Sequence, residues 1–171
     1  MIPAAQVLIA ELEQEAPATR RVLARVPEEH LAFRPHPKSM SLAQLAQHVA
    51  TIPGAIARLG ALDGMDASQA KFMPEPAPSA ASLLPTLEAS LAGAKSFLAE
   101  LTAESALAPW RMTAGEREVF SLPRIGVMRS IGMNHWYHHR GQLLVYLRLL
   151  DVPVPVVYGR TADENPFATV N

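Results

Sequence analysis

From Asn134 to Leu147 the chain reads NHWYHHRGQLLVYL, three histidines within five positions followed by an apolar run. Leucine, valine and tyrosine in such a run call for burial, and an imidazole taken out of water calls for a partner. At about 100° per residue, with His135 as origin, His139 falls near about +40°, His138 near about −60° and Gln142 near about −20°. Met128, Ile131, Tyr146 and Leu149 share that sector, so the histidines interrupt one apolar helix face at its middle. His135 and His139, at i and i+4, stand one turn apart, the spacing that lets two imidazoles meet one ion. His135 and His138, at i and i+3, form a second candidate pair. His138 and His139 diverge by about 100° and do not suit a shared ion.

A third ligand has to come from elsewhere in the chain. His48 sits at the margin of another apolar stripe, whereas His30 and His36 lie in a proline-rich loop and are worse placed. A lone buried histidine such as His48 is more often a hydrogen-bonded core residue than a ligand, and a single H-x-x-x-H arises readily by chance. Three imidazoles on one buried face are harder to satisfy without an ion, because each needs its own partner.

The remainder of the chain is patterned as three further helices. The first is expected over about Ala4–Arg25, with Val7, Leu8, Leu12, Val22 and Leu23 at helical spacing and Pro17 expected to kink it. The second opens at Ser41, where Ser41 and Gln44 form a capping box and Met40 and Leu45 are spaced as a staple. Leu42, Leu45, Val49, Ile52, Ile56 and Leu59 make its buried stripe, and Pro53 is expected to bend it. The prolines of MDASQAKFMPEPAPS mark an extended connector. The third helix covers about Ser79–Leu101, with Leu83, Leu84, Leu87, Leu91, Leu98 and Leu101 facing inward. Weak alternation around Ala114–Gly115 predicts a short β-hairpin before the fourth helix, which spans about Leu122–Leu150. The expected fold is all-α, a four-helix bundle in one domain over residues 1–171, with connections too long to force an up-down-up-down order.

Charge and composition narrow the partners. Net charge is −1 and charged residues make up 18% of the chain, which favours neither nucleic acid nor anionic membrane. The chain has no cysteine, so disulfides, thiolate ligands and an intrinsic cysteine nucleophile are excluded. MIPAAQVLIAELEQE lacks a basic start and meets Glu11 too soon for a signal peptide, and no stretch approaches membrane-spanning length, so a cytoplasmic location is expected. Trp136, Leu143 and Leu147 give the last helix a second apolar side. That side reads either as more core or as the interface of a homodimer, and a homodimer through it is the sharper expectation.

Three stretches carry a family resemblance: FRPHPKSMSLAQLAQHVA (Phe33–Ala50), NHWYHHRGQLLVYLRLLDVPVP (Asn134–Pro155) and YGRTADE (Tyr158–Glu164). Together they resemble the DinB/YfiT-like family, whose members are taken for metalloenzymes, over roughly Ala4–Glu164. The pairing of QLAQH with HWYHHRGQ carries the likeness; either half alone would not. The resemblance implies a four-helix bundle of unusual connectivity holding a divalent metal on three histidines, one from the second helix and two from the last. Carried across, the ligands are His48, His135 and His139, and His138 becomes a neighbour in the pocket. Members of the family include transferases and isomerases that use a low-molecular-weight thiol. The family's name refers to induction by DNA damage, but the charge balance gives DNA binding no support.

Three neutral imidazoles would leave an ion its full charge and an open position, the catalytic arrangement. Zinc or nickel suits these donors, and iron is compatible with them. Gln142 is expected either to orient a reacting group or to hydrogen-bond the second nitrogen of a histidine; with His138 it is the candidate catalytic pair. Tyr146 is placed to line the pocket or to fill core. The expected partner is a small-molecule substrate, with a low-molecular-weight thiol cosubstrate supplying the thiol that the cysteine-free chain lacks.

Overall fold

A computed structural model describes residues 1–167. Four long helices dominate it: α1 (Pro3–Leu23), α2 (Leu42–Gly60), α3 (Leu83–Glu100) and, after the short α4 (Ala103–Leu107) and α5 (Arg124–Gly126), α6 (Asn134–Leu149). A π-helical segment, Val127–Met133, feeds directly into α6. Helices α1 and α2 each pack against both α3 and α6. The consecutive helices α1 and α2 therefore lie across the bundle from one another, as do α3 and α6, whereas α2 and α3 pack directly together. Among the described residues no helix is long and apolar enough to cross a membrane.

Local chemistry explains where the elements start and stop. The Ser41 hydroxyl accepts from the Gln44 N–H at 3.2 Å and the Gln44 side chain accepts from the Ser41 N–H at 3.0 Å, the reciprocal box that opens α2. Helix α6 closes with a Schellman motif: the Val152 N–H reaches the Leu147 carbonyl and the Asp151 N–H reaches that of Arg148. Asp151 takes the left-handed position with φ of 56°, where glycine is usual. Pro17 does not interrupt α1. The carbonyl it leaves without an intrahelical donor belongs to Glu13, and both residues are exposed to solvent, which can supply the bond.

The expected hairpin is present and is part of a larger sheet. Strands β2 (Pro109–Ala114) and β3 (Arg117–Pro123) pair antiparallel, and β1 (Gly64–Asp66) adds in parallel to β2, giving the order β1-β2-β3. Gly115 turns the hairpin with φ of 62°, a backbone that tight hairpin turns require, and its N–H is held by the Asp66 carboxylate at 3.0 Å. The connector after α2 therefore starts as a strand, and only its later part is the extended segment expected from its prolines.

Burial corrects several expectations. Trp136, Leu143 and Leu147 are exposed by only 1%, 0% and 0%; the side of α6 assigned to a homodimer is interior packing of this bundle. Leu84 stands about 100° around the helix from Leu83, at the margin of the buried stripe, and is exposed, as is Val7 beside the buried Leu8. Of the residues expected on the histidine face, Met128 in the π-helical segment and Tyr146 in α6 are buried, but Leu149, in the last turn, is exposed.

Candidate metal centre

The site lies where α2 meets α6, and a proline sets that meeting. Pro53 has no N–H, so in α2 it leaves the carbonyl four residues back, on Val49, without its helical donor. The buried indole N–H of Trp136, on α6, donates to that carbonyl at 2.9 Å. The next residue, Gly54, gives its N–H to the Ser90 hydroxyl of α3 at 2.8 Å, and Ser90 donates onward to the Thr51 carbonyl at 3.0 Å. A Cβ on Gly54 would lie 2.9 Å from the Ser90 carbonyl oxygen, so only glycine admits α3 this closely. Around Pro53, α2 is thus clasped by both α6 and α3. Val49 adjoins His48 and Trp136 adjoins His135, so this clasp fixes the register in which the two histidines face each other.

His48, His135 and His139 come together as the sequence led one to expect. One ring nitrogen from each lies within 4.8 Å of the others. Ring centroids stand 4.9 Å apart for His48–His135, 4.6 Å for His48–His139 and 4.5 Å for His135–His139. The Nε2 atoms of His48 and His135 are 3.2 Å apart. Two nitrogens sharing one tetrahedral zinc at about 2.0–2.1 Å each would be separated by roughly 3.3 Å, so the donor set fits a single small divalent ion.

Electrostatics keep these rings available as ligands. Burial, reinforced by His139 and His135, pushes the pKa of His48 down to about 4. Burial also brings His139 down to about 4, the bond to Gln142 opposing the shift and His135 and His138 adding to it. His135 is lowered too, by burial and then by His138. Near neutral pH all three are uncharged imidazoles with a lone pair to offer. His30 and His36 sit on the exposed loop and take no part.

Gln142 and His138 stand at the rim rather than among the three. The Nδ1–H of His139 donates to Gln142 Oε1 at 2.8 Å, which leaves His139 Nε2 free for an ion. The Gln142 amide in turn donates to His138 Nε2 at 3.0 Å. His138 is exposed and lies outside the cluster.

Two cavities meet the histidines. His48 and His135 line one of about 350 Å³, walled by Ile56, Leu59, Phe72, Trp110 and Ile131. His139 and Gln142 line another of about 390 Å³, with Lys38, Met40, Met73 and Tyr146 on its wall. Tyr146 thus borders a pocket, and its hydroxyl is anchored by donating to the Met40 carbonyl at 3.1 Å.

Behind the histidines lies a charge cluster that the sequence reading did not single out. Arg140, 1% exposed, donates to Glu15 Oε2 at 2.6 Å, to the Thr19 hydroxyl at 3.0 Å and to the Tyr158 hydroxyl at 2.5 Å. Its guanidinium also lies 5.2–5.8 Å from the rings of Trp136, Tyr137 and Tyr158. The signal was present: Arg140 falls in the Trp136–Leu143–Leu147 stripe, where a charge must find a partner.

A helical bundle presenting three convergent neutral histidines at an inter-helix seam is the class of protein that this fold and site define. The DinB family model matches residues 1–166, and the chain belongs to the DinB family. Among solved structures it is similar to a DinB-like protein from Bacillus subtilis, at 17% identity and TM-score 0.64 over 90% of this chain and 99% of that one. A protein of Exiguobacterium sibiricum assigned to the same family matches at 24% identity and TM-score 0.65, over 91% and 97%. A DinB-like protein from Bacillus cereus matches at 22% identity and TM-score 0.64, over 88% and 95%. At these identities the likeness speaks for the fold. No curated protein matches the chain.

Proposed function

We propose that this protein is a divalent-metal-dependent enzyme that acts on a small electrophile, by transfer of a low-molecular-weight thiol or by hydrolysis. Zinc or nickel is the expected ion, with iron compatible with the same donors. The observation that carries the reading is the position of the three neutral histidines between two cavities, so that a group held by them is within reach of small molecules. Such an ion supplies Lewis acidity and lowers the pKa of a nearby thiol or water. The chain's own part is to hold the ligands and admit the reactants. His48, His135 and His139 are the donors, and Gln142 fixes the tautomer of His139 through its Nδ1–H. His138, fixed by Gln142 and exposed at the rim, is placed to exchange a proton with an incoming group. Lys38 on the wall of the second cavity suits an anionic cosubstrate such as a carboxylate-bearing thiol.

Conjugation of several thiols to an electrophilic probe by metal-loaded protein tests this reading. Turnover should exceed that of His135→Ala by at least tenfold for one thiol; equal rates with every thiol, and with an ester offered for hydrolysis, would remove it. The competing reading is a stress-response bundle in which the ion is structural. It draws on the bridging of α2 to α6 by the same three side chains. Under that reading, stripping the metal lowers the melting temperature and abolishes no reaction.

A further inference from the structure

The two cavities differ in chemistry, and one of them specifies a ligand. On the wall that includes His48 and His135, the side-chain polar groups are those two rings, Lys71 and the indole of Trp110. The indole N–H is already given to the Leu59 carbonyl at 2.9 Å, and Lys71 is exposed. Everything else is aliphatic, aromatic or thioether: Ile56, Met65, Met112 and Ile131 among them. At about 350 Å³ the cavity is within the range of small-molecule sites, which run from roughly 300 to 1,000 Å³. A charged group inside it would lose its hydration against a wall that is almost wholly apolar, the one charged side chain on it, Lys71, being exposed to solvent. An aromatic body, by contrast, would lie against Trp110 and Phe72 and meet the sulfurs of Met65 and Met112.

We infer that this cavity binds the apolar body of a neutral small molecule, aromatic or branched aliphatic, with its one polar group at the end lined by His48 and His135. This inference rests on the reading above only for its catalytic meaning; the binding itself requires the cavity and not the ion. The second cavity, with Lys38 and Gln142 on its wall, is left to a polar partner. The connector after β1 divides the two, with Phe72 on one wall and the next residue, Met73, on the other.

Methionine methyl groups report on each cavity separately, Met65 and Met112 on the apolar one and Met40 and Met73 on the other. Acetophenone should be titrated into methyl-labelled full-length protein, metal-free and zinc-loaded. Saturable shifts are expected at Met65 and Met112 in both forms, with Met40 and Met73 unmoved. Benzoate and acetamide should each bind at least tenfold more weakly. Ala55→Leu, which fills the cavity from α2, should weaken acetophenone binding at least tenfold while leaving the zinc content and the Met40 and Met73 resonances in place. Ala70→Leu does the same from the connector if the α2 variant fails to fold. Shifts confined to Met40 and Met73, shifts that never saturate through the millimolar range, benzoate binding as tightly as acetophenone, or a filled variant binding as well as the wild type would overturn the inference. Binding to the metal-free wild type with no turnover by the loaded protein would sink the proposed catalysis and leave this site standing. Thiol conjugation by a loaded wild type that does not bind acetophenone would do the reverse.

Discussion

Gln142 shows how much one side chain can decide at such a site. Its carbonyl accepts from His139 Nδ1–H and its amide donates to His138, so it selects which nitrogen of His139 faces the other two rings. Partners of this kind usually govern metal affinity by about 10- to 100-fold. Gln142→Ala should therefore weaken zinc binding by about that factor in a chelator competition. Gln142→Glu, which keeps the acceptor, should stay closer to wild type, and an unchanged affinity in the alanine variant would remove the role. That His135, His138, His139 and Gln142 share one side of the last helix was legible from helical rotation, because α6 is regular from Asn134 onward. The choice of His139 over His138 was not settled by rotation. It depends on where α2 crosses, a long-range fact that the family resemblance supplied; in the structure it is His139 that clusters with His48 and His135.

Among the elements, the seam between α2 and α6 rests on a missing donor. Trp136→Phe would leave the Val49 carbonyl buried and unbonded, at a cost of about 1–3 kcal/mol before any loss of packing. Restoring an N–H with Pro53→Ala should help in that background, because the helix can then satisfy Val49 itself, whereas in the wild type it competes with the indole. Denaturant unfolding of the two single variants and the double variant should give a coupling of about 1 kcal/mol or more; simple additivity would contradict the clasp. Sequence patterning marked Pro53 as a bend and Ser41 as a start, since both are local. It could not name Trp136 as the partner of a carbonyl 87 positions away, nor pair Gly64–Asp66 with Pro109–Ala114. The π-helical segment before His135 was equally hidden: an apolar stripe does not reveal one wider turn within it.

For the molecule as a whole, the buried Arg140 cluster joins α1, α6 and the segment after it. Tyr158 reaches both Arg140 and Glu15. Farther along the same segment, Glu164 pairs with Arg25 at 2.8 Å and Asp163 pairs with Arg148. The stretch YGRTADE is therefore a strap across the bundle, a structural role for residues that first stood out only by resemblance. Glu15→Gln removes the counter-charge of a side chain sealed in the core and should cost about 3–5 kcal/mol in denaturant unfolding, whereas Glu15→Leu with Arg140→Met should recover most of that loss. A loss below about 1 kcal/mol in the single variant would show that the pair is not effectively buried. The face once assigned to a second copy belongs to this same interior, because apolarity alone does not distinguish a core from an interface.

All of these scales converge on three histidines as one metal centre, and metal content tests that directly. Protein purified without a histidine tag and loaded with zinc should carry about one ion per chain by elemental analysis. His48→Ala and His139→Ala should each lose most of it, and His138→Ala should keep it. An emptied site in His138→Ala together with a full one in His139→Ala would contradict the assignment.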